Sequence, residues 1–446
     1  MNLLACSRYQ WADAKSETIM KTTKFTCLAL LISTVLSACG EPLRTDINPA
    51  LLYYQAFLLA PEPMSDADMN YFWVSKAGRE QKLPERFGKI VAGYDGEFKL
   101  VREAAQQKVP CDWGIDMSPG PATTCPHLPR AKAVAQAAGL RAVWDLQHGN
   151  QTGARDDLLA AFVLARNVSR DGTLIGALVQ NANEAIVCST VAGNFGQFAP
   201  ETLQQLVDGF DTAPPPGTVA AAMMSEKLLG PDWLANKIRK LQQKNPGNDA
   251  KVMEAIREDE NVQGFEYYYA NKGIRDTNVW QRIFIASGGT SDGLLKLVLD
   301  LEPLYPRLAG IMALPPPEFE DQIQKFDAEI KKSQDPLVTV LSPNPLGPVG
   351  GPRRREFREQ AELAMVRAAV EYKLHGEAGL KSVMDPLGNG PFAFQRFVFE
   401  GVDRGFELKS AYTGNGYPYA LIFVEKEGSP FYIEGGPQRI GKAVQP

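Results

Sequence analysis

Apolar residues recur at helical spacing in successive segments from Asn48 to about Lys332, and Pro and Gly residues separate the segments. This spacing constrains the fold more than any other feature, because helices with one apolar stripe must pack against one another. The two clearest helical hairpins join Ala131–His148 to Gly153–Val168 and Thr173–Val191 to Pro200–Asp211. We therefore predict that residues 39–333 form an α-helical body, built as a helical-hairpin array.

The pattern changes at 334–352, where Pro and Gly crowd together, and we predict a linker there. Arg353 then opens a long amphipathic helix that extends to about His375. Alternating apolar residues between Gly-rich turns indicate antiparallel strands at Phe392–Phe399, Phe406–Tyr412, Tyr419–Lys426 and Phe431–Glu434. The predicted fold class is mainly α, a helical-hairpin array with a small C-terminal antiparallel β-sheet, and 353–446 form the helix-plus-sheet module.

The turn between this helix and the first strand has the sequence Asp385-Pro386-Leu387-Gly388-Asn389-Gly390-Pro391-Phe392. The order of helix, turn and strands, with Gly405-Phe406-Glu407-Leu408 in the second strand, resembles the C-terminal part of type II secretion pseudopilins. The long N-terminal pilin helix is missing, so the resemblance implies a helix-plus-sheet fold and not pilus assembly. The whole order of parts also resembles helical proteins of the bacterial envelope that have no assigned activity.

Near the N-terminus, a basic flank precedes an apolar run from Phe25 to Leu36. The run is too short to span a bilayer comfortably, and with the small residues that follow it has the form of a secretory signal. Leu36-Ser37-Ala38-Cys39 resembles the lipobox of bacterial lipoproteins, which implies cleavage before Cys39 and attachment of diacylglycerol to its sulfur. We expect translation to start at Met20 and residues 1–38 to be leader and signal peptide. An uncleaved apolar anchor is the alternative.

The expected location follows from the lipid anchor. Two or more acyl chains, palmitate among them, hold a protein stably on a membrane. Gly40 follows the cysteine at a position where, in lipoproteins, aspartate favours the inner membrane, so we expect the outer membrane and the periplasm. A net charge of −5 without a long basic block argues against nucleic acid as a partner. The expected partners are the membrane, through the N-terminal lipid, and a protein.

Three further cysteines follow Cys39, and two of them flank a loop rich in Gly and Pro. In an oxidising envelope Cys111 and Cys125 are natural disulfide partners, and a bridge closing a loop of about 15 residues contributes roughly 3 kcal/mol in a chain-entropy treatment. The alternative is a metal site made by these two cysteines and His127, but the spacing matches no zinc signature. Cys188 lies in an apolar helical stretch and is expected to be a buried free thiol.

The common catalytic signatures of zinc, serine and nucleotide enzymes are absent from the sequence. The chain has three histidines, which lie far apart along it. We therefore assign no catalytic residue, no metal ligand and no cofactor. The expected function is a lipid-anchored binding or scaffold protein of the envelope.

Two other functions stay open at this point. An envelope hydrolase would use carboxylates as acid and base, and its candidates are Asp156, Asp157, Glu258 and Asp259. A small-molecule binder would have an aromatic pocket between the helical body and the sheet. The candidates for that pocket are Trp73, Trp113, Trp144 and Tyr268.

Overall fold

Helices dominate the structure and a small antiparallel sheet closes it, which confirms the predicted fold class. The structure is a computed structural model, and it describes residues 46–73, 82–259, 279–333, 335–341, 350–399, 401–414 and 416–426. The described residues from Asn48 onward belong to one compact unit. None of the helices in these ranges is both long and apolar enough to cross a membrane.

The first eight helices of the body include the four predicted to form hairpins. In chain order they are α1 Pro49–Leu59, α2 Asp66–Trp73, α3 Arg86–Gly93, α4 Asp95–Ala105, α5 His127–Gln147, α6 Gln151–Val168, α7 Leu174–Gly193 and α8 Pro200–Thr212. The first predicted hairpin is confirmed, with ends within a few residues of those expected. Both helices of the second are present near their expected bounds, but they do not pack on each other as a hairpin, because α8 lies against α6. At the first hairpin turn, Gly149 has a φ of 77° and the side chain of Asn150 accepts from the N–H of Gly153. Only small residues suit such a turn, and Asn is a favoured N-cap.

Smaller helices complete the body. They are α9 Val219–Lys227, α10 Trp233–Lys244, α11 Asp249–Arg257, α12 Val279–Ala286, α13 Ser291–Asp300, α14 Leu304–Met312, α15 Pro316–Lys332 and α16 Pro336–Leu341. α16 lies inside the segment predicted as a linker, and 342–349 lie outside the described residues.

The C-terminal module begins with α17, Gly351–Ser382, whose backbone leaves helical geometry at Gly376 (φ 65°, ψ −149°). Three strands follow: β1 Ala393–Phe399, β2 Val402–Gly414 and β3 Tyr417–Val424. They form an antiparallel sheet in the order β1-β2-β3. The predicted fourth strand, Phe431–Glu434, lies outside the described residues.

The sheet and the helical body share one hydrophobic core. Phe195, in the loop after α7, packs edge-on against Phe406 of β2 and Phe423 of β3, with ring centroids 5.7 and 5.2 Å apart. All three rings are almost completely buried. Lys373 of α17 donates to the carbonyl oxygens of Phe195 and Phe198, which holds the loop against the long helix. The module is therefore packed on the body through specific aromatic contacts.

Candidate functional site

The turn between α17 and β1 is held by one buried carboxylate. Asp385 Oδ2 accepts from the hydroxyl of Ser410 and from the N–H of Ala411, both at 2.8 Å, and its Oδ1 accepts from the N–H of Leu387 at 3.0 Å. Met384 forms an isolated antiparallel bridge with Pro391. Because these bonds join the turn to β2, they fix where β1 starts. This aspartate is the first residue of the turn whose sequence resembles that of the pseudopilins.

The two edges of the sheet differ. At the β3 edge, the N–H of Gly196 donates to the carbonyl oxygen of Val424 at 2.8 Å, so the loop after α7 continues the hydrogen bonding. A Cβ at position 196 would lie 2.1 Å from the carbonyl oxygen of Glu425. Only glycine, which has no Cβ, avoids this clash. β1 has β2 on one side and, within the part of the chain that the structure describes, no strand on the other.

β1 combines exposed apolar side chains with an edge that has no partner strand among the described residues. Val398 is 57% exposed, and the rings of Phe394 and Phe399 are each more than one third exposed. Soluble proteins protect sheet edges with short strands, proline, lysine or other charges, or β-bulges. β1 has neither proline nor lysine, and its one charge, on Arg396, is paired with Asp403 and Glu425. Its pairing with β2 does shift in register between Phe397 and Val398. An edge of this kind can accept a strand from another chain.

A second unusual place is a group of buried carboxylates where α7 packs on α17. Burial raises the pKa of Glu184 to about 7, although Arg166 Nε lies 2.7 Å from Glu184 Oε1. Burial, with the charge of Glu184 next in importance, raises the pKa of Glu359 well above its usual range. The Cys188 thiol donates to Glu359 at 3.8 Å. Both side-chain polar atoms of Asn183 are buried without a hydrogen-bond partner among the described residues.

This group shows that polar residues are concentrated inside the helix pair that supports the sheet. Perturbed pKa values are common at functional sites, but structural ion networks produce them as well. Two further buried acids of α17, Glu356 and Glu362, are ion-paired to Arg353 and Arg358 one turn away on the same helix. In the described ranges, no three His, Cys, Asp or Glu residues are arranged to hold a metal ion. We treat the group as a determinant of stability.

Asp157, one of the hydrolase candidates, belongs to an ion network that joins three helices. Its carboxylate accepts from Arg102 of α4 at 2.9 Å and from Arg141 of α5 at 2.7 Å. Arg141 also donates to Asp95 and to the carbonyl oxygen of Val91. Burial raises the pKa of Asp157, and the two arginines oppose that effect. These contacts indicate that Asp157 has a structural role and holds the three helices together.

The other hydrolase candidates also have ion-pair partners. Asp156 pairs with Arg155, Glu258 with Arg257 and Asp259 with Lys237. These acids lie at two places in the fold, on α6 and at the end of α11. All four hydrolase candidates are therefore ion-paired with neighbouring basic residues.

The predicted aromatic pocket residues are divided between two clusters. Trp113 stacks on His127 at 4.4 Å inside the main core, and its indole N–H donates to the carbonyl oxygen of Asn167 at 2.7 Å. Trp73 and Trp144 pack around a separate, smaller cluster. Tyr268 lies outside the described residues. The three tryptophan candidates for the pocket thus pack within the helical body.

The predicted lipidation residue and disulfide residues have different outcomes. Cys39 lies outside the described residues. Cys111 and Cys125 are free thiols, and both lie close enough to Tyr54 to raise its pKa, after the larger effect of burial. Burial raises the pKa of Cys111 to about 12 and that of Cys125 to about 11. The bridge between them stays a prediction. Cys188 is a buried free thiol, as the sequence predicts.

A cleft of about 530 Å³ opens between the ends of α4, α6 and α8. Its wall includes Lys108 and Arg170, both exposed, together with Asn167 and Pro214. The amide of Asn167 already donates to the hydroxyl of Tyr53 at 3.2 Å. The cleft therefore offers a ligand two mobile surface cations, and few fixed polar groups converge in it.

The chain matches no protein-family model, and no curated protein or solved structure matches it. The residues of this chain are therefore the basis of any functional proposal. Sequence reasoning missed the buried carboxylates between α7 and α17, and it also missed the β1 edge. The signal of the β1 edge is present in the sequence as an uninterrupted Ala-Phe-Gln-Arg-Phe-Val-Phe strand without proline or lysine, but the sequence does not show which edge the fold leaves open.

Proposed function

We propose that this protein is a lipid-anchored scaffold of the bacterial envelope that binds a protein partner by strand addition to β1. The observation that supports the binding mode is that β1 has exposed apolar side chains and, among the described residues, no partner strand on its outer edge. The resemblance of Leu36-Ser37-Ala38-Cys39 to a lipobox supports the anchor. In this proposal, the lipid holds the protein on the outer membrane and the sheet faces the periplasm.

The chemistry of β1 specifies the kind of partner. In strand addition, main-chain hydrogen bonds supply affinity, and side chains at alternate positions supply specificity. Val398 and Phe399 would contact apolar side chains of the added strand, since cross-strand apolar and aromatic pairs stabilise a sheet. The partner segment is therefore extended, uncharged at its centre, and apolar or aromatic at the positions that face these residues.

The rest of the fold is suited to presenting this edge. Asp385 fixes the turn before β1, and the Gly196–Val424 hydrogen bond joins the opposite edge to the helical body. The aromatic cluster around Phe406 fills the space between the sheet and the helices beneath it. Sites on rigid elements are positioned more accurately than sites on loops. A partner would therefore meet a preformed edge.

The experiment is site-specific photo-crosslinking in intact cells. A photoreactive amino acid replaces Val398 in one variant of the full chain and Leu228 in a control variant. Leu228 is 63% exposed, close to the 57% of Val398, but belongs to the helical body. Crosslinked products are purified from the membrane fraction and identified by mass spectrometry. We expect one reproducible partner at position 398 that is missing at position 228.

Three results would contradict the proposal. The same products at both positions would mean that crosslinking reports abundance. No product at position 398, with folded and lipidated protein, would mean that β1 is not the binding edge. An adduct of twice the mass of the chain would show pairing between copies of this protein, without a separate partner.

The anchor is tested separately by Cys39→Ala. The variant should lack incorporated fatty acid and accumulate as an unprocessed precursor of lower mobility. Unchanged lipid labelling would show that the lipid is attached elsewhere or that the anchor is of another kind.

A further inference from the structure

The first helix of the folded unit is apolar on both of its sides. α1 has the sequence Pro-Ala-Leu-Leu-Tyr-Tyr-Gln-Ala-Phe-Leu-Leu and contains no charged residue. One side is buried in the core through Leu52, Tyr53, Ala56 and Phe57. A helix at the surface of a soluble protein normally presents charged or polar residues on its other side. α1 is therefore unusual for a surface helix.

The outer side of α1 carries three exposed leucines. Leu51 is 56% exposed, Leu58 is 86% exposed and Leu59 is 53% exposed. They are spaced at i, i+7 and i+8, so they lie as a stripe on one side of the helix, with Leu51 about two turns before the other two. Gln55 is the only exposed polar side chain between them. Beside Leu59, α4 presents Gly96, where an added Cβ would lie 3.8 Å from the leucine Cδ1.

The leucines cannot turn inward, because the opposite side of the helix is tightly held. The Asn48 side chain caps α1, and it also exchanges hydrogen bonds with the backbone of Asp112 at 2.6 and 3.0 Å. The hydroxyl of Tyr54 donates to the carbonyl oxygen of Trp113 at 3.1 Å. The Trp113 ring stacks against Tyr53 and Phe57, with centroids 5.7 and 6.4 Å away. Rotation of α1 would break all of these contacts.

The chain length before α1 identifies what lies against this stripe. Asn48 follows Cys39, the proposed lipid attachment point, by nine residues. Nine residues reach at most about 30 Å when fully extended. A lipid on Cys39 would therefore keep α1 close to the lipid headgroups at all times. Helices with an apolar face bind in the interfacial region of a bilayer, and a covalent lipid adds to that binding.

We propose that the stripe of Leu51, Leu58 and Leu59 is a membrane-docking face that inserts into the interfacial region of the bilayer. The proposal rests on the lipid anchor of the proposed function. It adds a second attachment to the membrane. Two attachments fix the orientation of the folded unit relative to the bilayer, whereas the lipid alone would not. The chemical class of ligand is a phospholipid surface.

The test uses the lipidated full chain in phosphatidylethanolamine–phosphatidylglycerol vesicles. Leu58→Cys carries an environment-sensitive fluorophore, and Leu228→Cys, 63% exposed on the helical body, is the control. The parent protein, with Cys111, Cys125 and Cys188, gives the labelling background. A nitroxide-bearing phospholipid serves as quencher. We expect a blue-shifted label at position 58 that loses most of its fluorescence to the quencher, and a label at position 228 that does neither.

Each other outcome overturns the inference in a recognisable way. Protein that floats with the vesicles but has a water-exposed label at position 58 would retain the anchor and exclude docking. A blue-shifted label that the nitroxide lipid does not quench would show that α1 is covered by protein. If the protein takes up no lipid label and stays in the soluble fraction, the anchor itself is wrong, and the docking proposal fails with it.

Leu58→Ser removes the apolar group at the most exposed position of the stripe. This variant should still float with the vesicles, but its orientation on the membrane should be less fixed.

Discussion

The two outer strands of the C-terminal sheet have the same length within one residue and similar apolar content, but they have opposite surroundings. β3 is buried along most of its length, and the hydrogen bond between Gly196 and Val424 joins it to the helical body. β1 is mostly exposed, and its charge is neutralised by Asp403 and Glu425. The comparison shows that an edge strand is defined by what the rest of the fold places beside it.

The largest expected effect comes from Phe406→Ala, which removes the ring that both edges share. Phe406 is fully buried between Phe394, Phe423 and Tyr372, with centroids 5.3, 5.1 and 5.1 Å away. We expect the free energy of unfolding to fall by about 3 to 5 kcal/mol, as for other buried Phe→Ala changes. Denaturant unfolding of an unlipidated form measures it. Tyr417→Ala, at an exposed position of β3, is the control and should change little.

The next largest loss of stability is expected for Gly196→Ala, which disturbs only the β3 edge. The new methyl group would meet backbone atoms of Glu425, which cannot move aside without loss of the hydrogen bond to Val424. Overpacking of this kind costs about 1 to 3 kcal/mol. We expect faster amide exchange in β3 and little change in β1. Equal stability and unchanged exchange would mean that the β3 edge does not depend on this junction.

A smaller and pH-dependent effect is expected at the helix pair under the sheet. Burial raises the pKa of Glu184 to about 7 and raises the pKa of Glu359 well above its usual range. Between the unfolded pKa of about 4.5 and these raised values, the folded protein binds more protons than the unfolded chain, so stability falls as pH rises through that range and levels off above it. One titrating group contributes at most about 1.4 kcal/mol per pH unit.

Glu359→Gln should therefore flatten this decline and raise the melting temperature at pH 8 more than at pH 5. The matched control is Glu377→Gln, which changes an exposed carboxylate at the other end of the same helix. Thermal unfolding across the pH range measures both variants. A steeper decline in Glu359→Gln, or the same gain in the control, would contradict the assignment of the slope to the buried group.

The smallest effect on stability, and the largest on binding, is expected for Val398→Lys. A lysine on an open edge opposes strand addition, and an exposed substitution changes stability by no more than about 0.5 kcal/mol. The variant should fold and reach the membrane, but the partner identified by crosslinking at position 398 should no longer co-purify with it. Leu228→Lys should keep the partner. If Val398→Lys keeps the partner, the partner does not bind at the β1 edge.

Much of this fold follows from local sequence. Helical spacing predicts the helices of the body, Gly149 and Asn150 predict the turn of the first hairpin, and alternation predicts the three described strands. These signals are short-range, since they depend on side chains within one or two turns. The free thiol of Cys188 inside an apolar helix is predictable for the same reason.

Contacts between distant residues were not predictable. Gly196 and Val424 are separated by most of the C-terminal half of the chain, and nothing near either residue marks their pairing. Glu184 and Glu359 resemble ordinary helical surface residues in the sequence, yet they lie buried together because α7 packs on α17. The exposure of Leu58 likewise depends on Trp113 holding the opposite side of α1. Each feature needs the tertiary fold.

Amide hydrogen exchange of the two edge strands tests strand addition most directly. The lipidated protein is measured alone and in the complex isolated through the crosslink at position 398. The proposal predicts slower exchange in Ala393–Phe399 on binding, because partner carbonyls would accept from outward-facing N–H groups, and unchanged exchange in Tyr417–Val424. Unchanged exchange in β1, with protection confined to another part of the molecule, would contradict the assignment of β1 as the binding edge.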